Sequence, residues 1–427
     1  MDDIDLCILI FYDFFPSPKL DISNLNTISQ KSAYRVDAKP SFEGLSTQFP
    51  LLILLVLIFF INFTARIIFS PLMPTIEADL SLTHSDAGLL FLLISFGYFI
   101  GMLGSSFVSA AITHKKTISL SAMAVGLTLL PISFSSNKWI LLIGLLVLGI
   151  SAGLYLPSGL ATLTSAINPR QWGKAIAVHE MAPNLGFVAA PLLAEFFMFW
   201  FSWRTVLVAL GLTSLLMGLA NARFGRRGEL TGELPKFVVI RTLVKQRSFL
   251  IMLLLFCAGI GSFLGIYTML PLYLVTEQGM DREMANTLVA ISRIPGLAVV
   301  FLAGWATDRF GPRRALMWIF MLTGLSTMAL GFAEGLWVSV FVFIQPMIAV
   351  CFPPAALVAL SLIGPHETRN IAVSITIPFA FLIGGGILPI LIGILGDAGA
   401  FKVGIVLVGV LILLTSILPR YLIFTRH

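Results

Sequence analysis

The sequence predicts an all-α polytopic membrane protein, with twelve transmembrane helices in two six-helix, pseudo-symmetric halves. Composition, the length of the apolar runs and an internal repeat lead to that prediction. Of 427 residues, 58% are hydrophobic and 11% are charged, whereas a soluble globular chain is about 25% charged. A mean hydropathy of +0.97 leaves more apolar surface than one water-facing core can hide, so lipid must act as part of the solvent. This excludes a soluble enzyme. The formal net charge of +6 does not point to nucleic acid, because the basic residues fall in short loops between apolar runs and form no single patch. Cys7, Cys257 and Cys351 are too scattered for a disulfide framework or a metal site and are expected to be packing residues.

A membrane-spanning helix needs about 20 mostly apolar residues, and such runs end where charge, Pro or Gly clusters intervene. The first half then holds spans 1 to 6 at 50–72, 85–108, 117–135, 138–163, 173–200 and 204–222. A charged central loop, 223–248, follows. Spans 7 to 12 occupy 249–275, 284–306, 314–333, 335–362, 369–395 and 400–422, leaving 423–427 as a short tail. Residues 1–49 start with Asp2, Asp3 and Asp5, and their apolar stretch Leu6 to Phe15 is short and broken by Asp13. That is not a signal peptide, and a disordered cytoplasmic tail is expected there.

Orientation follows from the side on which Lys and Arg fall. Only Lys138, Arg204, Arg282 and Lys402 lie on one side, and Arg66 and Arg293 lie inside spans; the rest of the 27 basic residues lie on the other side. By the positive-inside rule both termini and the central loop are cytoplasmic, in a multi-pass protein of the plasma membrane.

An ungapped shift of 200 residues aligns Pro71-Leu72 with Pro271-Leu272, Glu77 with Glu277, Ile94 with Ile294, and Gly104 with Gly304. At a shift of 195 or 196, Ile176-Ala177-Val178 meets Ile371-Ala372-Val373, and Pro157 meets Pro353. These matches occur at like places relative to the spans, so the halves, 50–222 and 249–422, are read as parallel repeats. Such an arrangement places a ligand site at the midplane between them.

The loop after span 8 runs Gly304-Trp-Ala-Thr-Asp308-Arg309-Phe-Gly311-Pro-Arg313-Arg314. It resembles the G-x-x-x-D-R-x-G-R-R loop of the major facilitator superfamily. In such a loop an acid at a helix end can bond the orphan N–H groups of a neighbouring helix, while the arginines fix the loop on the inner face. After span 2, where the superfamily carries its other copy, Gly104 is kept. Val108, Ser109 and Ala111 replace the acid, Arg and Gly, leaving only His114-Lys115-Lys116. Trp203-Arg204 after span 5 is also similar to the superfamily. The resemblance covers about 50–422 and implies secondary transport by alternating access. It also implies that spans 1, 4, 7 and 10 line a central cavity and that spans 2, 5, 8 and 11 form the contact between halves.

Charge at the bilayer centre costs about 2.5–3.5 kcal/mol on insertion scales, so ionisable residues within spans tend to face a cavity and to have a task. Arg66 (with Asn62 one turn before it), Arg293 (with Asn286 two turns before it) and His179-Glu180 (with Asn184 a turn beyond) are such residues. On the cavity helices that the resemblance implies, Asn62, Arg66, Tyr155, Ser158, Tyr267 and Gln345 form the substrate wall. Arg293 either joins them or pairs with Glu180, and His179, Glu180 and Asn184 serve coupling or gating. Two arginines against one deep acid leave the cavity positive, so the expected solute is a small anion, carboxylate or oxyanion, bound through the fork geometry of arginine. Asn184-Leu-Gly186 with Ala190-Pro191, and Gly384-Gly385-Gly386 with Pro389, look like the glycine-rich segments of nitrate/nitrite porters, though close helix packing explains them equally well. Those porters and the oxalate/formate antiporters also carry an arginine on span 8, and organic-anion symporters carry one on span 1.

No Walker loop, HExxH, nucleophile elbow or cofactor motif is present, so energy is expected from a gradient or from exchange, with no enzymatic activity and no cofactor. The expected partners are the bilayer, a small-molecule solute and a coupling proton or counter-anion, around a monomer. Two rival readings stand beside this one. One is a proton-coupled exporter of drug-like lipophilic compounds; the other is a non-transporting membrane receptor or enzyme.

Overall fold

Prolines decide where the spans bend. A proline has no N–H to offer the carbonyl four residues back, and five spans break beside such a carbonyl. Span 1 breaks at Ile68 before Pro71, span 4 at Leu154 before Pro157, and span 5 at Glu180 before Pro183. Span 8 breaks over 293–295 at Pro295, and span 10 over 350–351 before Pro353. The breaks are tolerated in a membrane because neighbouring helices satisfy the freed groups.

The computed structural model describes residues 47–225, 228–232, 234, 237–363 and 369–424. Among them are twelve helices long and apolar enough to cross a membrane. Spans 1 to 6 run Phe49–Leu80, His84–Ile112, His114–Phe134, Lys138–Ala166, Pro169–Trp200 and Trp203–Phe224. Spans 7 to 12 run Arg247–Thr276, Arg282–Phe310, Pro312–Phe332, Leu336–Ser361, Ile371–Asp397 and Phe401–Tyr421. The expected end of span 1 fell short: the span continues through Pro71 and Pro74 to Leu80, because those prolines kink the helix without stopping it. Spans 7 and 11 carry π-helical turns at Gly261–Gly265 and Ile383–Ile387. The central loop contains a short helix, Phe237–Val244. The expected tail at 1–49 lies almost wholly outside the described residues.

Within each half, small residues let backbones touch. A Cβ at Gly101 of span 2 would stand 2.2 Å from the Ile150 carbonyl of span 4, and one at Gly149 would stand 2.2 Å from the Ile94 carbonyl. The same logic explains Gly384: its Cβ would lie 2.4 Å from the Gly261 nitrogen of span 7. The triple glycine is therefore a close helix crossing.

The halves meet at the face away from the chain termini. There span 7 packs on span 1, span 11 on span 2, and span 8 on span 5. Asp397, ending span 11, accepts from the backbone N–H of His84 (2.8 Å) and Ser85 (3.0 Å) at the start of span 2, and bonds the Ser85 hydroxyl. This uses a carboxylate where the helix exposes its orphan donors. Arg282 of span 8 grips Glu195 of span 5 through two bonds of 3.1 Å. Toward the face carrying the termini, Trp172–His179 of span 5 and Gly296–Phe310 of span 8 pack mainly on helices of their own halves.

The turn after span 2, where the superfamily loop is degenerate, is braced from the central loop. The backbone N–H of His114 and Lys115 donate to Leu230 and Gly228 carbonyls (3.1 and 2.7 Å), and Gly232 N–H donates to the Ser109 carbonyl (3.1 Å).

Candidate functional site

The break in span 8 leaves Arg293 at a helix end, and the kink in span 1 follows directly after Arg66. Both guanidinium groups turn into the seam between the halves. Arg66 is 5% exposed and Arg293 6%. Arg66 lies over the Tyr98 ring of span 2 at 3.9 Å, with Phe63 at 5.1 Å and Phe381 of span 11 at 5.5 Å. Arg293 lies over Tyr267 and Phe263 of span 7 at 4.8 and 5.4 Å, and over Phe187 of span 5 at 5.1 Å. Phe63 and Phe187 meet edge to face at 4.9 Å, which joins the two cages.

All three side-chain nitrogens of Arg293, and Nε of Arg66, are buried without a hydrogen-bond partner. Among the described residues no acid contacts either guanidinium. Of the two alternatives for Arg293, the pair with Glu180 is not made among the described residues: Glu180 instead lies 3.3 Å from the His179 ring, with its side chain about half exposed. The ion pair that does join spans 5 and 8 is Arg282 with Glu195, reinforced by Asn286 donating to Glu195 (2.5 Å) and to the Pro71 carbonyl (3.1 Å). Sequence reading missed Glu195 because it lies near the end of span 5, where a carboxylate is unremarkable. Its signal was an acid placed opposite Arg282 in paired spans.

A cavity of about 10 Å³ lies beside Arg293, lined by Asn184, Phe187, Phe263, Gly296, Pro346 and Val350. It has room for about one water. Asn184 thus reaches the seam, while its amide donates to the Glu180 carbonyl at 3.0 Å. Tyr267 also belongs to the seam, its hydroxyl donating to the Phe187 carbonyl at 3.3 Å.

Four expected wall residues are placed elsewhere. Asn62 donates to the Ala152 carbonyl (3.3 Å) and to Ser121 (3.4 Å), joining spans 1, 4 and 3. Gln345 donates to the Ser262 carbonyl (2.7 Å) and to Thr327 (3.3 Å), joining the repeat-equivalent spans 10, 7 and 9. Tyr155 is fully buried, its hydroxyl 2.7 Å from the Leu55 carbonyl and 3.0 Å from His179 Nε2. Ser158 meets His114 Nδ1 at 3.2 Å. These side chains hold each half together, because a buried polar group takes whatever partner its own bundle offers. His179 is also buried, stacked on Phe59 at 4.6 Å.

In the loop after span 8, Gly311 has φ +82°, which favours glycine. Arg313 donates to the Leu422 carbonyl and lies 5.3 Å from the Phe424 ring, so it fixes the end of span 12. Asp308, Arg309 and Arg314 are exposed, and Gly304 is half-buried. The latch expected of Asp308 is not made among the described residues, because this end of span 8 packs on spans 9 and 10 of its own half.

Two parallel six-helix halves, closed at one face around buried arginines, define the general build of an alternating-access membrane protein. The chain belongs to the Major Facilitator Superfamily, whose family model matches residues 55–302 and 275–427. A curated relative, "Major facilitator superfamily multidrug transporter mfsC" of Aspergillus fumigatus, is 28% identical over 177 residues, 39% of this chain and 33% of that protein. The match thus spans about a third of that relative's length. "Probable sulfoacetate transporter SauU" of Cupriavidus necator is 22% identical over 290 residues, 64% of this chain and 67% of that protein. Among solved structures, a bacterial homologue of the human lysosomal transporter Spinster, inward-facing and occupied, superposes with TM-score 0.74 at 17% identity. It covers 87% of this chain and 96% of that one, a likeness of fold.

Proposed function

We propose that the chain is a secondary transporter of a small anion, a carboxylate or oxyanion, moved by symport or exchange as the two halves rock around Arg66 and Arg293. One observation carries this reading: two buried guanidinium groups face the seam, Arg66 with one unpartnered nitrogen and Arg293 with three, and among the described residues no acid contacts them. Aromatic faces contribute about 0.5–2 kcal/mol to a desolvated cation, less than the several kcal/mol that burying an ion costs. A bound anion makes up the difference, and it does so in whichever conformation both arginines face it. The name of SauU supports an anionic solute. With the termini read as cytoplasmic from the basic residues, the face held by Asp397 and by the Arg282–Glu195 pair is the outer one.

Thermal stability of the purified protein in detergent tests the reading, because a ligand that binds the folded state raises the melting temperature. Carboxylates, nitrate, sulfate, phosphate, sugars and lipophilic cations are compared. Stabilisation by one anion class, lost in Arg66→Gln and Arg293→Gln, is expected. Stabilisation by lipophilic cations alone would replace this reading with drug export, which the aromatic lining and the name of mfsC would then favour.

A further inference from the structure

Resting on the anion reading above, we propose that the solute carries two acidic groups, one held by Arg66 and the other by Arg293, as in a small dicarboxylate. Two separate wells point to this. Arg66 lies against Phe63, Tyr98 and Phe381, and Arg293 against Phe187, Phe263 and Tyr267, with no ring in common. Each guanidinium is seated in a cage of its own, where two groups that shared one acidic head would converge on a single point.

The repeat relates the two cages. Spans 1, 2 and 11 build the first, and their counterparts, spans 7, 8 and 5, build the second. Phe63 and Phe263 align under the 200-residue shift. In each cage one helix brings the arginine and its neighbour brings a tyrosine, with the roles exchanged. Arg66 of span 1 lies 3.9 Å over Tyr98 of span 2, and Arg293 of span 8 lies 4.8 Å over Tyr267 of span 7. Neither arginine is a copy of the other, yet each half ends with one cation on a tyrosine face at the seam. Two like wells across the pseudo-twofold suit a ligand with like groups at its two ends.

Charge balance favours the same ligand. A monoanion would neutralise one guanidinium and leave the other buried without a counter-charge, which is costly; a dianion neutralises both. Glu180 does not supply the missing charge. It is about half exposed, lies against His179 and contacts neither guanidinium, reaching Tyr98 only electrostatically. The wells are also close together. Steps of 5.1, 4.9 and 5.1 Å through Phe63 and Phe187 keep the two guanidinium carbons within about 15 Å of each other, and a charge-assisted contact at each end brings that within reach of one small diacid.

Thermal stability of the full chain in detergent, at neutral pH and fixed ionic strength, tests the valence directly. Acetate and propionate are compared with malonate, succinate and glutarate, all ionised under these conditions. In the unmodified protein at least one dicarboxylate is expected to reach half its full stabilisation at a concentration at least about tenfold below either monocarboxylate, the worth of a second charge-assisted contact. In Arg66→Gln and in Arg293→Gln that advantage is expected to vanish, while the monocarboxylates still stabilise through the arginine that remains, which also shows that each variant is folded. Monocarboxylates that match every dicarboxylate in the unmodified protein overturn the proposal and leave the anion reading standing; that comparison needs no variant. A dicarboxylate advantage that survives either substitution overturns it too. So does a cooperatively melting variant that loses both classes of anion, because both arginines would then grip one acidic group. A flat response to every anion in the unmodified protein would instead remove the anion reading itself, and this proposal with it.

Discussion

Four arginines in this membrane bundle fall into two pairs that behave oppositely. At the face away from the termini, Arg204 bonds Asp79 at 2.6 Å, and Arg282 bonds Glu195. Deeper in, Arg66 and Arg293 are more buried, lie against aromatic rings, and have no acid in contact among the described residues. Simple electrostatics would predict the reverse, since an acid partner matters most where the dielectric is lowest. The difference teaches that the outer pair is part of the structure, complete as it stands, whereas on the proposed reading the inner pair is completed by the anion it binds.

Breaking the inner pair is expected to have the largest effect. Arg66→Gln or Arg293→Gln should lower anion uptake into proteoliposomes by about a hundredfold, the loss of roughly 3 kcal/mol of charge-assisted bonding. Unliganded melting temperature should hold or rise, because an uncompensated buried charge is gone. A fall in both uptake and stability would make these residues structural and erase the contrast with the outer pair.

Next in size is the outer pair. Glu195→Gln leaves Arg282 without its counter-charge at the closed face and should shift the halves toward opening there. About 1–2 kcal/mol is expected for a half-buried pair, a five- to thirtyfold change in population. Labelling of a cysteine placed at Thr75, beside Arg282, would report it: the rate should rise in the Glu195→Gln background. An unchanged rate would mean that packing alone closes this face.

The inner arginines were legible in the sequence because a charge inside a twenty-residue apolar run is conspicuous whichever way it points. The twelve spans were legible for the same reason. Asn62, Tyr155, Ser158 and Gln345 were assigned to the right spans but the wrong surface. A helix that is apolar nearly all round carries no pattern to say which side faces the cavity and which faces its own bundle. The five breaks were written in the prolines, yet prolines also end helices, and only the surrounding helices decide between a stop and a kink. The latch residue Asp397 gave no signal, because its partners are backbone N–H groups of a helix more than 300 residues away.

Asp397→Asn tests that latch against the Arg282 pair. It keeps the shape but weakens charge-assisted bonds to a helix N-terminus, a loss of about 1 kcal/mol. Opening of the closed face should therefore increase less than in Glu195→Gln, and the two changes should combine additively if the contacts act independently.

The smallest effect belongs to the polar ties inside each half, and it is also the one that separates scaffold from site. Asn62 aligns with Ser262 under the repeat shift, and each lies in a tie joining the first, third and fourth spans of its half, with the amide on span 1 in one half and span 10 in the other. Interhelical bonds of this kind are worth about 0.6 kcal/mol each in membrane bundles. Asn62→Ala and Gln345→Ala should thus lower the melting temperature slightly and about equally, while the stabilisation gained from a bound anion stays unchanged. If either variant abolished that gain, its side chain would have to reach the seam in another conformation, and the division between arginines that bind and amides that brace would fall for that half.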